Sequence, residues 1–300
     1  MIRLGLCCKF QREPIRFRRT TAAALLRLPR ADALRKLAEI CRGNAEALRQ
    51  AVLFCAEHGI GDFRVNSQIL PVKTHPQAGY AVAELPDGSA ITEAFKSAGA
   101  LAARHDVRLT LHPDQFILLS SPDPGVTRRS VAELVYQAEV AGWIGADVIN
   151  IHGGGMYGDK RPALARVRRN LDRLPEAVRT RITLENDDRV YTPADLLPVC
   201  KAAGVPLVYD VHHHRCLPDR LSCEQATAAA LETWNREPLF HLSSPIRGWD
   251  GPTPGHHHDY IDPADFPNAW QQLDLTVEVE AKAKELAVLR LARHLATAAR

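Results

Sequence analysis

No C-x-x-C pair occurs among the seven cysteines of this 300-residue chain, and their number is odd. Those two facts remove the signals for a zinc ribbon and for a disulfide framework. No apolar run approaches the roughly 18 residues that a bilayer-spanning helix needs. The N-terminal stretch MIRLGLCCKFQREP is apolar only briefly and shows no signal-peptide core or small-residue cleavage site, so a cytoplasmic location is the expectation. No glycine-rich fingerprint follows the first strand candidate, which argues against a dinucleotide-binding open sheet. Low-complexity tracts and sharp linkers are missing too, and one domain over residues 1–300 is expected. The net charge of +3 is too small to announce a nucleic-acid partner by itself.

What is present is a hydrophobic content of 46%, enough for a sizeable core. Short β-branched runs alternate with longer helical stretches. The strand candidates are 3–7, 62–65, 108–112, 148–152, 181–185, 207–210, 239–242 and 276–280. Amphipathic or Ala/Leu-rich segments lie between them, among them 31–58 (read as two helices), 90–105, 130–143, 161–171, 193–203 and 223–234. Strand–helix alternation implies parallel strands with crossover helices, and eight units in a chain of this length favour a closed (β/α)₈ TIM barrel. Cys41, Cys55 and Cys200 fall in helical apolar patterns and read as buried thiols, while Cys7 and Cys8 stand at the end of the first strand. Two loops, 66–89 and 245–263, are long enough to serve the binding face rather than the fold.

Charge is clustered even though its sum is small. Arg12, Arg16, Arg18 and Arg19 crowd one segment, and Lys160, Arg161, Arg166, Arg168 and Arg169 another. Such clusters can neutralise phosphates, or can be no more than solvated helix faces.

The strand ends carry the chemistry. His112, His152, Glu185, Asp210 (with His213 three residues on), His241 and Glu280 each close or follow an apolar run. In a barrel these ends converge on the C-terminal face, where active sites form. A lone strand-end histidine is more often a hydrogen-bonded structural residue. So many on successive strands are different, because desolvated carboxylates and imidazoles packed together cost several kcal/mol unless cations neutralise them. Mixed imidazole and carboxylate donors suit Zn²⁺, Mn²⁺ or Fe²⁺, and their number implies two or three ions. His256, His257 and His258 could supply one more ligand or be solvated, His75 is in the same position, and His58 and His105 read as structural residues at helix ends.

Taken in order, several short segments resemble the UV damage endonuclease family of the xylose-isomerase-like barrels. They are His112-Pro113-Asp114-Gln115-Phe116, Ser121-Pro122-Asp123-Pro124, Leu184-Glu185-Asn186-Asp187, Asp210-Val211-His212-His213, His241-Leu242-Ser243-Ser244 and Glu280-Ala281-Lys282. The resemblance runs over nearly the whole chain. It implies a barrel with up to three divalent ions, typically manganese, that nicks damaged double-stranded DNA immediately 5′ to a pyrimidine dimer or similar lesion. By position it implies His112, His152, Glu185, Asp210, His213, His241, His257 and Glu280 as metal ligands, with Glu185, Glu280, His112 and His75 as the residues on which catalysis rests. It further implies that Gln115 and Phe116 enter the duplex; Lys160 and Arg16, from the two basic clusters, are the expected phosphate contacts, and a monomer is expected.

The chain departs from the family at four positions. Leu6 and Phe10 stand where a tyrosine and an asparagine are usual, Phe116 replaces a tyrosine, and Leu239 replaces a lysine that can be carboxylated to bridge ions. The first pair bears on which lesions are cut, and Leu239 leads to the expectation of a weakened or missing third ion. Three other readings of the same barrel are a sugar isomerase or epimerase, a metal oxidase acting on a peptide, and a module that binds damage without cutting it. Sugar enzymes need fewer histidines and have no use for the arginines of 12–19, bound iron and oxygen dependence would mark an oxidase, and a ligand set intact except at Leu239 argues against a mere binder.

Overall fold

The computed structural model describes residues 2–113 and 116–298. Its strands are β1 (Ile2–Cys7), β2 (Asp62–Val65), β3 (Arg108–Leu111), β4 (Val148–His152), β5 (Ile182–Glu185), β6 (Leu207–Asp210), β7 (Leu239–Leu242) and β8 (Leu275–Val279). Each pairs in parallel with the next, and β8 returns to β1 to close the barrel. The expected TIM barrel is therefore what the chain forms. β3 and β8 end one residue earlier than the apolar pattern suggests, so His112 and Glu280 stand just past the last ladder residue.

The helices among the described residues are α1 (Ala22–Leu26), α2 (Arg30–Glu57), α3 (Gly88–Arg104), α4 (Pro124–Ile144), α5 (Lys160–Asp172), α6 (Glu176–Arg179), α7 (Pro193–Ala203), α8 (Val211–Cys216), α9 (Cys223–Leu231) and α10 (Glu285–Ala298). Their ends are written locally. Asp123 accepts from the Gly125 amide ahead of Pro124 at the start of α4, and Gly145 ends that helix in the left-handed region at φ +73°. Thr192 and Asp195 form a capping box on α7. The segment read as two helices is one, α2. Gly43-Asn44 does not break it, because Asn44 is buried and serves as a tie: it accepts from the Arg18 amide and donates to the Arg18 and Ile69 carbonyls. The helical hydrogen bonds continue through that point while the side chain fastens two loops.

Apolar burial falls into two bodies. A large one fills the layer between barrel and helices, and includes Cys41, Cys55 and Cys200 as expected. Leu6 and Phe10 belong to it, with Phe10 packed on Phe54 and Phe63 at ring separations of 5.2 and 5.8 Å. A second, small body of Val148, Val208 and Leu239 plugs the barrel interior. Below it the floor is polar: Arg108 donates to Asp147, to Thr276 Oγ1 and to the Glu237 carbonyl. His58 and His105 cap the C-termini of α2 and α3, as a structural role requires.

The packing of α3 on α4 depends on a missing side chain. A Cβ at Gly99 would stand 2.4 Å from the Ile144 carbonyl oxygen, whereas a Cβ at Gly142 in α4 would meet nothing within 4 Å. Gly99→Ala is expected to destabilise the fold by about 1–3 kcal/mol, the usual cost of overpacking against rigid atoms. Gly142→Ala should instead stabilise it by about 0.5–1 kcal/mol through helix propensity. Denaturant midpoints of the two variants check this, and equal shifts of the same sign would contradict it.

Candidate metal centre

Alternation along each strand sends every second side chain into the barrel. At the C-terminal ends this brings His112, His152, Glu185, Asp210, His241 and Glu280 together above the apolar plug. Glu185 is the hub, with only 1% of its side chain exposed. Its Oε2 lies 2.9 Å from His112 Nε2 and 3.8 Å from His152 Nε2. Its Oε1 lies 3.0 Å from His241 Nδ1 and 3.4 Å from His213 Nδ1. The carboxylate plane is held from below, where Asn150 Nδ2 donates to Oε2 at 2.6 Å and Thr183 Oγ1 donates to Asn150 Oδ1.

The local chain explains the other ligands. Asp210 is both the end of β6 and the N-cap of α8: its Oδ1 accepts from the His213 amide at 2.7 Å. Its Oδ2 is buried with no hydrogen-bond partner and is left for the centre. The turn of α8 in turn lifts His213 beside Glu185. The His112 Nδ1 lies 3.1 Å from the Pro113 carbonyl, which turns Nε2 toward Glu185 Oε2. The loop after β7 folds back on itself through Ile246 to His256 and His258 to Ser244 backbone bonds. That hairpin delivers His257, whose Nδ1 lies 3.8 Å from Glu280 Oε2. Of the histidine triplet, His257 is the member at the centre.

These separations fit shared cations. With metal–ligand bonds of about 2.1 Å, neighbouring ligand atoms stand about 3.0 Å apart in an octahedral sphere and about 3.4 Å apart in a tetrahedral one. Among the described residues, four triads have donor atoms within 4.8 Å of one another, and three of them lie around Glu185 and Asp210: His112–His152–Glu185, Glu185–Asp210–His213 and Asp210–His241–Glu280. Glu185 and Asp210 are each common to two triads, as bridging carboxylates would be. All three assemble without residue 239, which is wholly buried in the apolar plug.

The electrostatics agree. Burial would raise the Glu185 carboxyl, but His152, His241, His112 and His213 hold it well below the usual range. Burial would lower His213, yet Asp210 and Glu185 push it up to about 10. His152 moves the other way, kept neutral chiefly by its burial. Without an ion, protons on His213 and His241, both raised by the neighbouring carboxylates, balance the charge. Metal and protons therefore compete for the same nitrogens.

Three buried groups of the site were not among the sequence candidates: Asn150, Arg64 and Glu278. Asn150 and Glu278 lie two residues before His152 and Glu280 on the same strands, hence on the same inward face, and that period-two offset was the available signal. The Arg64 guanidinium reaches up from β2 to lie 2.6 Å from Glu280 Oε1 and 3.1 Å from Glu278 Oε2. Cys7, Glu278 and Glu280 form a further possible ligand group beside it, whereas Cys8 is in none.

The remaining candidates stand at the rim or beyond. A cleft of about 440 Å³ opens over the centre between Pro113, Ile117, His152, Asp187, Arg189 and His257. Phe116 projects beside it, 83% exposed. Gln115 lies outside the described residues. Arg16 is exposed and donates to the Glu13 and Ile15 carbonyls. Lys160 is instead paired with Asp195 at 2.8 Å. His75 is apart from the triads, its Nδ1 accepting from the Gln77 and Ala78 amides. A larger cleft, about 1060 Å³, lies at the opposite, N-terminal end among Ile2, Leu4, Val288 and Leu289. None of the triads reaches it, and that face of a barrel serves stability.

The family model described as UV-endonuclease UvdE matches residues 2–300. The UV DNA damage endonuclease of Bacillus velezensis is 34% identical over 293 residues, 92% of this chain and 87% of that protein. The enzyme of the same name from Bacillus cereus strain Q1 is 32% identical over 274 residues, 87% of this chain and 84% of that protein. Among solved structures, SacUVDE superposes with a TM-score of 0.89 at 23% identity, covering 100% of this chain and 99% of that one. Endonuclease IV of Thermus thermophilus follows at 0.61 and 17% identity, over 83% and 93%. D-Psicose 3-epimerase of Clostridium cellulolyticum shares the barrel at 0.56 and 15%, over 84% and 92%. On the match over residues 2–300 and these identities, the chain belongs to the UV-endonuclease UvdE family.

Proposed function

We propose that this chain is a metal-dependent DNA-repair endonuclease that hydrolyses the phosphodiester 5′ to a UV photoproduct or related lesion and leaves a 3′-hydroxyl. The observation that carries the metal half of this reading is Glu185, a buried carboxylate faced by four imidazoles at separations of 2.9 to 3.8 Å. The repair half is supported by the family and by the activity for which its relatives are named. We assign two or three divalent ions, manganese first and zinc or iron as alternatives, to His112, His152, Glu185, Asp210, His213, His241, His257 and Glu280. Bound there, the ions supply an activated water at neutral pH and charge stabilisation for the departing oxygen.

The chain's own residues do the rest. Glu185 and Asp210 set the spacing between ligand groups, and Asn150 keeps the Glu185 carboxylate from rotating. His75 receives two amide protons on Nδ1, which leaves Nε2–H as a donor suited to a phosphate oxygen. The exposed guanidinium of Arg16, with Arg12, Arg18 and Arg19, offers charge to the DNA backbone. Lys160 is the weaker phosphate contact of the two, because Asp195 already balances it. Phe116, with Gln115, enters the duplex where the lesion is extruded and replaces lost stacking. Extrusion costs least where pairing is already damaged, so selectivity needs no base-edge readout. Leu6 and Phe10, sealed in the apolar layer, take no part in it. One chain supplies every ligand named, so a monomer suffices, and the cytoplasm is the compartment we assign.

Nicking of irradiated duplex DNA should stop in excess EDTA and return with Mn²⁺. Glu185→Gln should fold and lose more than about a hundredfold in rate, since even outer partners of metal ligands cost about ten- to a hundredfold. Full activity in EDTA would refute the hydrolytic metal centre. Phe116→Ala should weaken binding to damaged duplex by about 1–3 kcal/mol, the worth of one base–aromatic stack. Binding to undamaged duplex should hardly change. Equal losses on both duplexes, measured by fluorescence anisotropy, would show that Phe116 is not a wedge.

A further inference from the structure

His241 lies between two sets of carboxylates. Its Nδ1 faces the centre, 3.0 Å from Glu185 Oε1 and 3.5 Å from Glu280 Oε1. Its Nε2 faces down the barrel, 3.0 Å from Glu278 Oε2. The pairing of β7 with β8 sets this arrangement, because His241 and Glu278 are register partners and both point inward. Glu278 is fully buried, and its other oxygen accepts from Thr110 Oγ1 at 2.5 Å. Arg64 lies against Glu280 and against the same Glu278 oxygen that faces His241, and so neutralises the lower carboxylate.

We propose that Glu278 is a positioning residue whose carboxylate fixes His241 so that Nδ1, and not Nε2, is offered to the metal centre. Either ring nitrogen of histidine can ligate, and the hydrogen bond made by the other decides which one does. With an ion on Nδ1, the remaining ring proton sits on Nε2, against Glu278. Among the described residues, Glu278 is the carboxylate paired with Nε2, and Leu239, two residues below His241 on β7, is apolar and packed on Val148 and Val208. Thr110 and Arg64 hold Glu278 in turn, so the ring is anchored to strands β2, β3 and β8 rather than to its own strand alone. The role rests on the metal centre proposed above.

Two measurements test it. In Zn²⁺-loaded protein labelled with ¹⁵N-histidine, with the His241 signals assigned through His241→Gln, Nδ1 should report as ligated and Nε2 as protonated. The reverse pattern would overturn the proposal. In Mn²⁺ titrations of metal-free protein by equilibrium dialysis, Glu278→Leu should bind the same number of ions about ten- to a hundredfold more weakly. Glu278→Gln keeps an acceptor for Nε2–H and should lose less. The glutamine variant and the NMR result stand even if the leucine variant does not fold. Loss of one whole ion in Glu278→Gln would make Glu278 a ligand and overturn the positioning role. Unchanged affinity in the variants overturns that role alone, and wild-type protein that binds no divalent ion overturns the centre with it.

Discussion

The structure is organised around the need to balance a carboxylate that the barrel has taken out of water. Glu185 is buried at the C-terminal mouth, and an unpaired charge there would cost several kcal/mol. His112, His152, His213 and His241 surround it from β3, β4, β6 and β7, or from the residues just past them. Four imidazoles around one carboxylate can take up protons or metal ions, and either state satisfies the charge. A site that must hold cations in order to be stable is already close to a metal site. The family's chemistry then requires only that substrate reach it.

The interior of this barrel is not the apolar stack common to the fold. Val148, Val208 and Leu239 make a thin plug, and the rest of the inward column is polar. Thr183, Asn150 and Glu185 form one chain of hydrogen bonds, and Thr110 donates to Glu278, whose other oxygen lies in ion-pair range of His241 and Arg64. Asp62, further down, is buried with its carboxyl driven up by burial and by nearby Glu278. Such a column gains little stability over an apolar one and gives up tolerance to change. Its use is geometric, since each group is aimed by the one beneath it. Most of the apolar driving force is left to the layer between strands and helices.

The rim is where lesion recognition is exposed to change. Leu6 and Phe10 are both drawn into the core. What remains at the mouth is the projecting ring of Phe116, the arginines of 12–19 and the loop that carries His257. Recognition by one aromatic face and backbone charge would read deformability more than base identity. The hairpin at Pro245 and His257 also ties the long loop after β7 directly to the metal ligands.

Much of this was legible from residues alone. β-branched runs and their spacing implied eight parallel strands, and polar residues closing those runs implied a cluster at one face, because strand ends must meet in a closed barrel. Local chemistry also marked the caps at Asp123 and Thr192. The continuity of α2 through Gly43-Asn44 was not legible, because it depends on what Asn44 bonds to across two loops. Nor could the chain order alone bring His257, of its triplet, beside Glu280, turn His75 Nδ1 onto the Gln77 amide, or pair Lys160 with Asp195. Glu278 was hidden for a related reason. A carboxylate inside a strand reads as an ordinary polar residue until the register of β7 and β8 sets it against His241. Sequence determined which side chains point into the barrel, because that follows from the two-residue period of a strand. Tertiary structure decided which of them touch, because contact across strands is set by shear and closure, and neither is written in any one segment of the chain.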